Sequence, residues 1–237
     1  MVSPWQKQLN ECETDKASLP DDQFAERLRG FGLFGVLAIG VIFAAQILAP
    51  LGAILVLVWV KLSRTPWRKI GYVRPRRWIV SSTVGLAFGV AFKFGMKSLV
   101  MPLLGASPIN QSYNFLVGNR RAVLALVPVI IIKAGFGEET FFRGYLFERL
   151  GKLFGESIKS KAVIVLLTSI SFALLHYDQG TAGMEQAFIT GLVFGTIFAV
   201  TGKLWMVMWA HAAFDLTAMA IIYWQLESKI AHLFFSF

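Results

Sequence analysis

From Phe31 to Val60 the chain runs for 30 residues without a charged side chain. As a straight helix that is roughly 45 Å, and about 20 apolar residues are enough to cross a bilayer. Such a run settles the solvent before anything else: this chain folds in lipid. Further apolar blocks follow at about residues 78–104, 122–153, 162–176, 184–200 and 204–224, making six candidate spans with room for a seventh. The expected fold class is all-α, a polytopic transmembrane helical bundle of about six to eight helices. No polar turn divides the first block, so the sequence reads it as one tilted span kinked at Pro50. Gly85 with Gly89 and Gly191 with Gly195 have the small-xxx-small spacing that lets helices approach closely.

Composition agrees with a membrane protein. Hydrophobic residues make up 56% of the 237, charged ones only 16%, and mean hydropathy is +0.61; soluble domains carry about 25% charged residues. A net charge of +9 would suit nucleic acid, but the basic residues sit in loops between the apolar blocks. Membrane orientation explains that placement, so the bilayer is an expected partner and nucleic acid is not. The loop Lys61–Arg77 holds seven basic residues and no acid, which reads as cytoplasmic. One kinked first span then puts the N-terminal tail on the opposite side. Residues 1–30 are polar and form that tail, residues 31–237 the membrane domain. Pro20-Asp21-Asp22 followed by Phe24, Leu28 and Phe31 looks like a short amphipathic helix, and no cleaved signal peptide is apparent. The single cysteine, Cys12, excludes an internal disulfide and a multi-cysteine metal site.

The ionisable groups inside the apolar blocks are the functional candidates. Gly135-Phe-Gly-Glu138-Glu139-Thr-Phe-Phe-Arg143-Gly144 places two carboxylates and an arginine in the third block. Glu139 and Arg143, four apart, share a helix face in the favourable acid-before-base order. Glu138 is turned about 100° away and faces no base at that spacing, so it reads as the free acid; a lone carboxylate in a low-dielectric pocket suits a general base. The plainer reading is that both glutamates pair with Arg143 or with Lys93 and Lys97. Of three histidines, His176 ends the fourth block and His211 lies in the sixth; His232 reads as interfacial. Asp215, four residues after His211, can hold one imidazole nitrogen, or both can face a metal. Glu138 and His176 each lie about 14 residues from the basic turn at Lys152–Lys161, hence level with one another in antiparallel neighbours, roughly 20 Å deep.

Together, Glu138-Glu139-x-x-x-Arg143, Phe172-x-x-x-His176 and His211-x-x-x-Asp215 resemble the three motifs of the CPBP (ABI) family of intramembrane proteases, which includes the type II CAAX prenyl proteases and bacteriocin-processing or immunity proteins. Phe142-Arg143-Gly144, Gly191 through Trp205 and Gly71-Tyr72 extend the likeness over residues 60 to 226. The resemblance implies transmembrane helices around a polar, water-filled intramembrane cavity in which the peptide bonds of a membrane-associated protein or peptide are hydrolysed. Glu138 and His176 would activate water, His211 and Asp215 would stabilise the oxyanion, and Glu139, Arg143 and Phe172 would support them. The prenyl proteases carry Asn where this chain has Asp215. An ionised Asp cannot donate to an oxyanion. Asp215 therefore stays protonated, only orients His211, or joins Glu138, His176 and His211 around a divalent metal such as zinc. A catalytically silent scaffold or immunity protein and a proton-coupled transporter are the other classes that such residues fit.

Overall fold

A computed structural model describes residues 20–48 and 50–235, and every regular element among them is a helix. Helix α1 (Pro20–Arg29) leads into α2 (Leu33–Ala44), which ends in the 3-10 turn Ala45–Ile47 and is followed by α3 (Leu51–Leu62). The expected single span kinked at Pro50 is not what forms. Trp59 Nε1 donates to the Leu28 carbonyl at 3.2 Å and Arg29 Nη1 to the Ser63 carbonyl at 3.1 Å, so the two ends of the block meet. Proline supplies no N–H and disfavours helix at the residue before it, which breaks the chain at this point. The turn needs no polar loop because the Gln46 amide Nε2 donates to the Ile42 carbonyl at 3.0 Å. Gly52 makes room for that side chain: a Cβ there would sit 2.0 Å from Gln46 Nε2.

The two arms are roughly 22 and 18 Å long, short of the ~30 Å hydrocarbon core. The two arms form a short hairpin whose ends meet. Its tip stands beside the glutamate motif, with Phe43 edge-on to Phe141 at 5.8 Å. Both feet lie at one end of the bundle. There Asp22 pairs with Arg64, and Arg149 donates to the carbonyls of Arg29 and Gly30 at 2.6 Å each. The expected opposition of tail and basic loop is thus overturned for residues 20–29; residues 1–19, Cys12 among them, lie outside the described part.

Five longer helices complete the bundle: α4 (Trp78–Leu103), α5 (residues 120–154), α6 (Ile158–Leu174), α7 (Gly180–Thr201) and α8 (Leu204–Tyr223), with the short α9 (Glu227–Ala231) after them. By length and composition alone, α4, the stretch Tyr177–Thr201 that contains α7, and α8 can cross a membrane; α1 and α2 taken together, bent by 61°, make a fourth candidate. The helices α5 and α6 run beside them. Parallel α4 and α8 touch backbone to backbone, because a Cβ on Gly85 would lie 2.6 Å from the Met206 carbonyl oxygen and one on Gly89 2.1 Å from that of Ala210. Antiparallel α6 and α7 meet where Gly191 faces Ser169.

Helix α5 starts on an Asn119 cap, whose Oδ1 accepts from the Ala122 N–H at 3.1 Å. Pro128 removes one rung, and two residues later the register widens to π-helix over Ile130–Glu138 and again over Thr140–Tyr145. Such widened turns are rare and concentrate at functional sites.

Gly89→Val should destabilise the bundle by about 1–3 kcal/mol, since the added atoms meet a backbone carbonyl. Gly95→Ala, where a Cβ meets nothing within 4 Å, should be neutral or slightly stabilising. Thermal unfolding of both variants in detergent reads the difference.

Candidate active site

The widened turns of α5 carry Glu138 and Glu139 to the middle of the bundle, facing α8. Glu139 is 0% exposed, Arg143 1% and His211 3%. One carboxylate oxygen serves both partners: Glu139 Oε1 accepts from Arg143 Nη1 at 2.8 Å and from His211 Nδ1 at 2.6 Å. The spacing argument anticipated the arginine. For His211 it offered Asp215 as one possible holder, but Asp215 Oδ2 stands 3.6 Å from His211 Nε2, beyond hydrogen-bond reach. The nitrogen that is held, Nδ1, is held by Glu139. An i,i+4 rule sees only one helix, and the partner here is 72 residues away.

With Nδ1 donating to Glu139, the other ring nitrogen of His211 turns to a cavity of about 290 Å³. Glu138 Oε2 is 3.9 Å from Nε2 and has no hydrogen-bond partner among the described residues, although it is buried. His176 lines the same cavity. Its Nδ1 donates to the Phe172 carbonyl at 2.8 Å, so the neutral ring leaves Nε2 as an acceptor. Phe172 forms the floor: its ring lies 4.5 Å from that of His176, 5.9 Å from that of His211, and 4.9 Å from the Arg143 guanidinium carbon. All seven residues singled out in the sequence thus gather in one place, Glu138, Phe172, His176, His211 and Asp215 on the wall and Glu139 with Arg143 behind it. His232 is exposed and lies apart.

Sequence reasoning named Lys93 and Lys97 but not their partners, and it missed Tyr113, Gln179, Gln186 and Glu227. Lys93 Nζ donates to Gln186 at 2.8 Å and stands 4.7 Å over the Phe214 ring. Lys97 pairs with Glu227 at 3.0 Å, and the same carboxylate oxygen accepts from the Asn110 N–H. Tyr113 accepts from Gln179 Nε2 at 3.0 Å. Tyr72, in the loop before α4, shares a hydrogen bond with Thr140 on α5 at 2.7 Å, and burial pushes its phenol up to about 12. It braces the turn next to Glu139 as a neutral group.

A metal is the alternative that the sequence left open. No group of three or more His, Cys, Asp or Glu side chains among the described residues is arranged to hold one. Nδ1 of His211 is held by Glu139 and Nδ1 of His176 by Phe172, bonds that leave Nε2 of each ring and do not themselves decide for or against a metal. The side chains as they stand do not fit the proposed four-ligand set, and no step is routed through it.

Residues 120–217 match the family model described as type II CAAX prenyl endopeptidase, Rce1-like. The matched stretch runs from the start of α5 past Asp215 and leaves α1 to α4 outside it. No curated protein and no solved structure matches the chain.

Removing one partner of a buried ion pair strands the other, at a cost of about 3–5 kcal/mol. Arg143→Ala should therefore lower stability by several kcal/mol, with Arg143→Lys losing less. Guanidinium-free thermal unfolding in detergent, followed by tryptophan fluorescence, measures it.

Proposed function

We propose that the chain, whose residues 120–217 match the Rce1-like type II CAAX prenyl endopeptidase model, is an intramembrane endopeptidase in which Glu138 activates water. The observation that carries the proposal is Glu138 itself. Its Oε2 is buried, lacks a protein partner, borders a cavity with room for water and a peptide, and points towards a histidine whose tautomer is fixed from behind.

In the proposed reaction Glu138 takes a proton from water, and the hydroxide attacks the scissile carbonyl. His176 Nε2, an acceptor in the neutral ring, holds that water. The carbonyl oxygen becomes an oxyanion, to which a protonated His211 Nε2 donates. Glu139 supports this role twice over: it keeps the imidazole in one orientation and stabilises its positive charge. Glu138, now protonated, returns the proton to the leaving amine as the tetrahedral intermediate collapses. A positioned base contributes typically 10²–10⁴-fold and one oxyanion donor about 10²–10³-fold. The substrate is a membrane-associated protein or peptide, because the reacting groups lie inside the bundle.

Asp215, a third exposed in its side chain, faces the same Nε2 from the solvent side of the cavity. We assign it to balancing the charge on His211 without a metal. Asp215→Asn keeps the shape and should then retain much of the activity, and a chelator should leave both proteins unaffected. Stoichiometric metal in the native protein, lost together with activity in Asp215→Asn, would sink the metal-free assignment.

Glu138→Gln removes only the proton acceptor. It should lower kcat at least 10²-fold with the unfolding temperature unchanged, whereas Glu139→Gln should lower both. Equal proteolysis by native protein and Glu138→Gln, purified and reconstituted, would refute the role of Glu138.

A further inference from the structure

The chain has no acidic residue between Glu26 and Glu138, nor between Glu185 and Asp215. The loop before α4 and the start of α8 therefore bring cations to one end of the bundle without any acid of their own. Asp22 on α1 and Glu156 in the α5–α6 turn answer Arg64 and Lys69. Arg74, Arg76, Arg77 and Lys203 are all exposed, and none has an acidic partner among the described residues. Four such charges side by side repel one another, and an anion that joins them removes that cost.

Arg74 also lines a groove of about 510 Å³ whose other walls are mostly apolar, among them Phe136 from α5, Trp78 from α4, and Leu204, Trp205 and Met208 from α8. Arg76 and Arg77 directly precede Trp78, and Lys203 directly precedes Leu204, so the free cations border it. The walls are fixed. Trp205 Nε1 donates to Ser82 Oγ at 2.7 Å, and the Leu204 N–H donates to the Gly71 carbonyl at 3.0 Å, pinning the loop to α8. Tryptophans at the starts of membrane helices mark the level of the lipid headgroups. The groove shares no lining residue with the catalytic cavity. It does back onto the widened turn of α5: Phe136 stands two residues before Glu138, and Tyr72, also in its wall, is the residue bonded to Thr140.

We infer that this groove binds one anionic phospholipid, its phosphate on Arg74 and the cations next to Trp78 and Leu204, and an acyl chain against Phe136 and Met208. The two halves of the site ask for different things. Free arginines suit a phosphate, which the planar guanidinium meets with paired hydrogen bonds. An apolar groove at the edge of the bilayer suits a hydrocarbon chain. A neutral lipid answers only the groove and a free phosphate only the arginines; an anionic phospholipid answers both, as basic pockets between membrane helices do. The seated chain packs against the back of the turn that carries Glu138, so this lipid is part of what holds the turn in place.

The test is lipid binding by the full chain, purified in detergent, stripped of lipid and titrated with phosphatidylglycerol or with phosphatidylcholine of the same chains. Native mass spectrometry counts the lipids retained, and thermal unfolding reads their effect. One phosphatidylglycerol should bind about tenfold more tightly than phosphatidylcholine and raise the unfolding temperature. Arg74→Gln with Arg77→Gln should lower that affinity about tenfold while leaving lipid-free unfolding unchanged, because neither side chain has a protein partner to lose. Lys159→Gln with Lys161→Gln removes the same charge from α6 and should leave the affinity as it was. Val73→Trp, which fills the groove without changing charge, should weaken both lipids. Glycerol phosphate, the headgroup without its chains, should neither compete nor stabilise, and this arm needs no variant to fold. Equal losses in the two charge variants would mean diffuse attraction and overturn the site. Stabilisation by glycerol phosphate as large as that by the lipid would make it a phosphate site instead, and equal binding of the two lipids would remove the anion. No readout involves peptide cleavage, so failure of the protease reading would leave these results standing.

Discussion

The carboxylate of Glu139 is the contact on which the rest of the site depends. It is fully buried and carries two charge-assisted hydrogen bonds on one oxygen, one along its own helix to Arg143 and one across to His211 on α8. Such a charge has no business in a dry bundle unless paired, because desolvation costs several kcal/mol per ion. The arginine supplies the counter-charge and is itself enclosed by the rings of Phe142, Phe172 and Phe194, with its guanidinium carbon 4.9 to 5.9 Å from their centres. These rings are therefore the cradle of the cation that holds the acid that orients the histidine. Loosening any one of them disturbs the angle of His211 Nε2.

The same arrangement explains why neighbouring glutamates behave differently. Glu139 faces the packed half of the bundle, where aromatic side chains from α5, α6 and α7 fill the space. Glu138, one residue earlier on a widened turn, faces the polar half, where Lys93, Gln186 and His176 stand on three other elements. One carboxylate is spent on structure, and the other has an oxygen with no protein partner among the described residues. The rim that encloses this polar half is tied by buried bonds between distant segments, Lys97 on α4 to Glu227 on α9 and to the loop carbonyl of Pro108. These polar ties act beside the apolar cluster of Leu116, Met219 and Ile222 that packs at the same end.

How far the sequence carried the fold depended on whether the governing contact was local. Lengths of apolar blocks placed α4, α5 and α8 to within a few residues, and α6 and α7 with starts four residues late, since hydropathy alone decides what can lie in lipid. The first block defeated the same reasoning. Its reversal at residues 48–50 uses no polar loop; the backbone is satisfied by Gln46 within the turn, and what fixes the fold-back is Trp59 reaching Leu28, 31 residues away. Nothing in the composition of residues 31–60 announces that contact. The gathering of the candidate residues was legible as a set of motifs, but not the assignment of carboxylates. Local spacing favoured Asp215 for the ring of His211, and tertiary packing gave the ring nitrogen to Glu139.

That exchange gives Asp215 a more specific meaning. Since Glu139 already fixes the imidazole, a second carboxylate near Nε2 is not required for orientation. It adds negative charge at the open side of the cavity, 3.6 Å from the nitrogen that would carry the proton. The chain also places Lys93 on the same cavity wall, within electrostatic reach of Asp215 and anchored by Gln186 over the Phe214 ring. Carboxylate and ammonium together keep the cavity close to neutral while leaving His211 flanked by acids. An asparagine at 215 would donate to an oxyanion directly but would leave the charge of Lys93 unanswered. In the proposed reaction the departure at 215 and the buried lysine on α4 would be two halves of one electrostatic solution, with the histidine as oxyanion donor and the acid sustaining its charge.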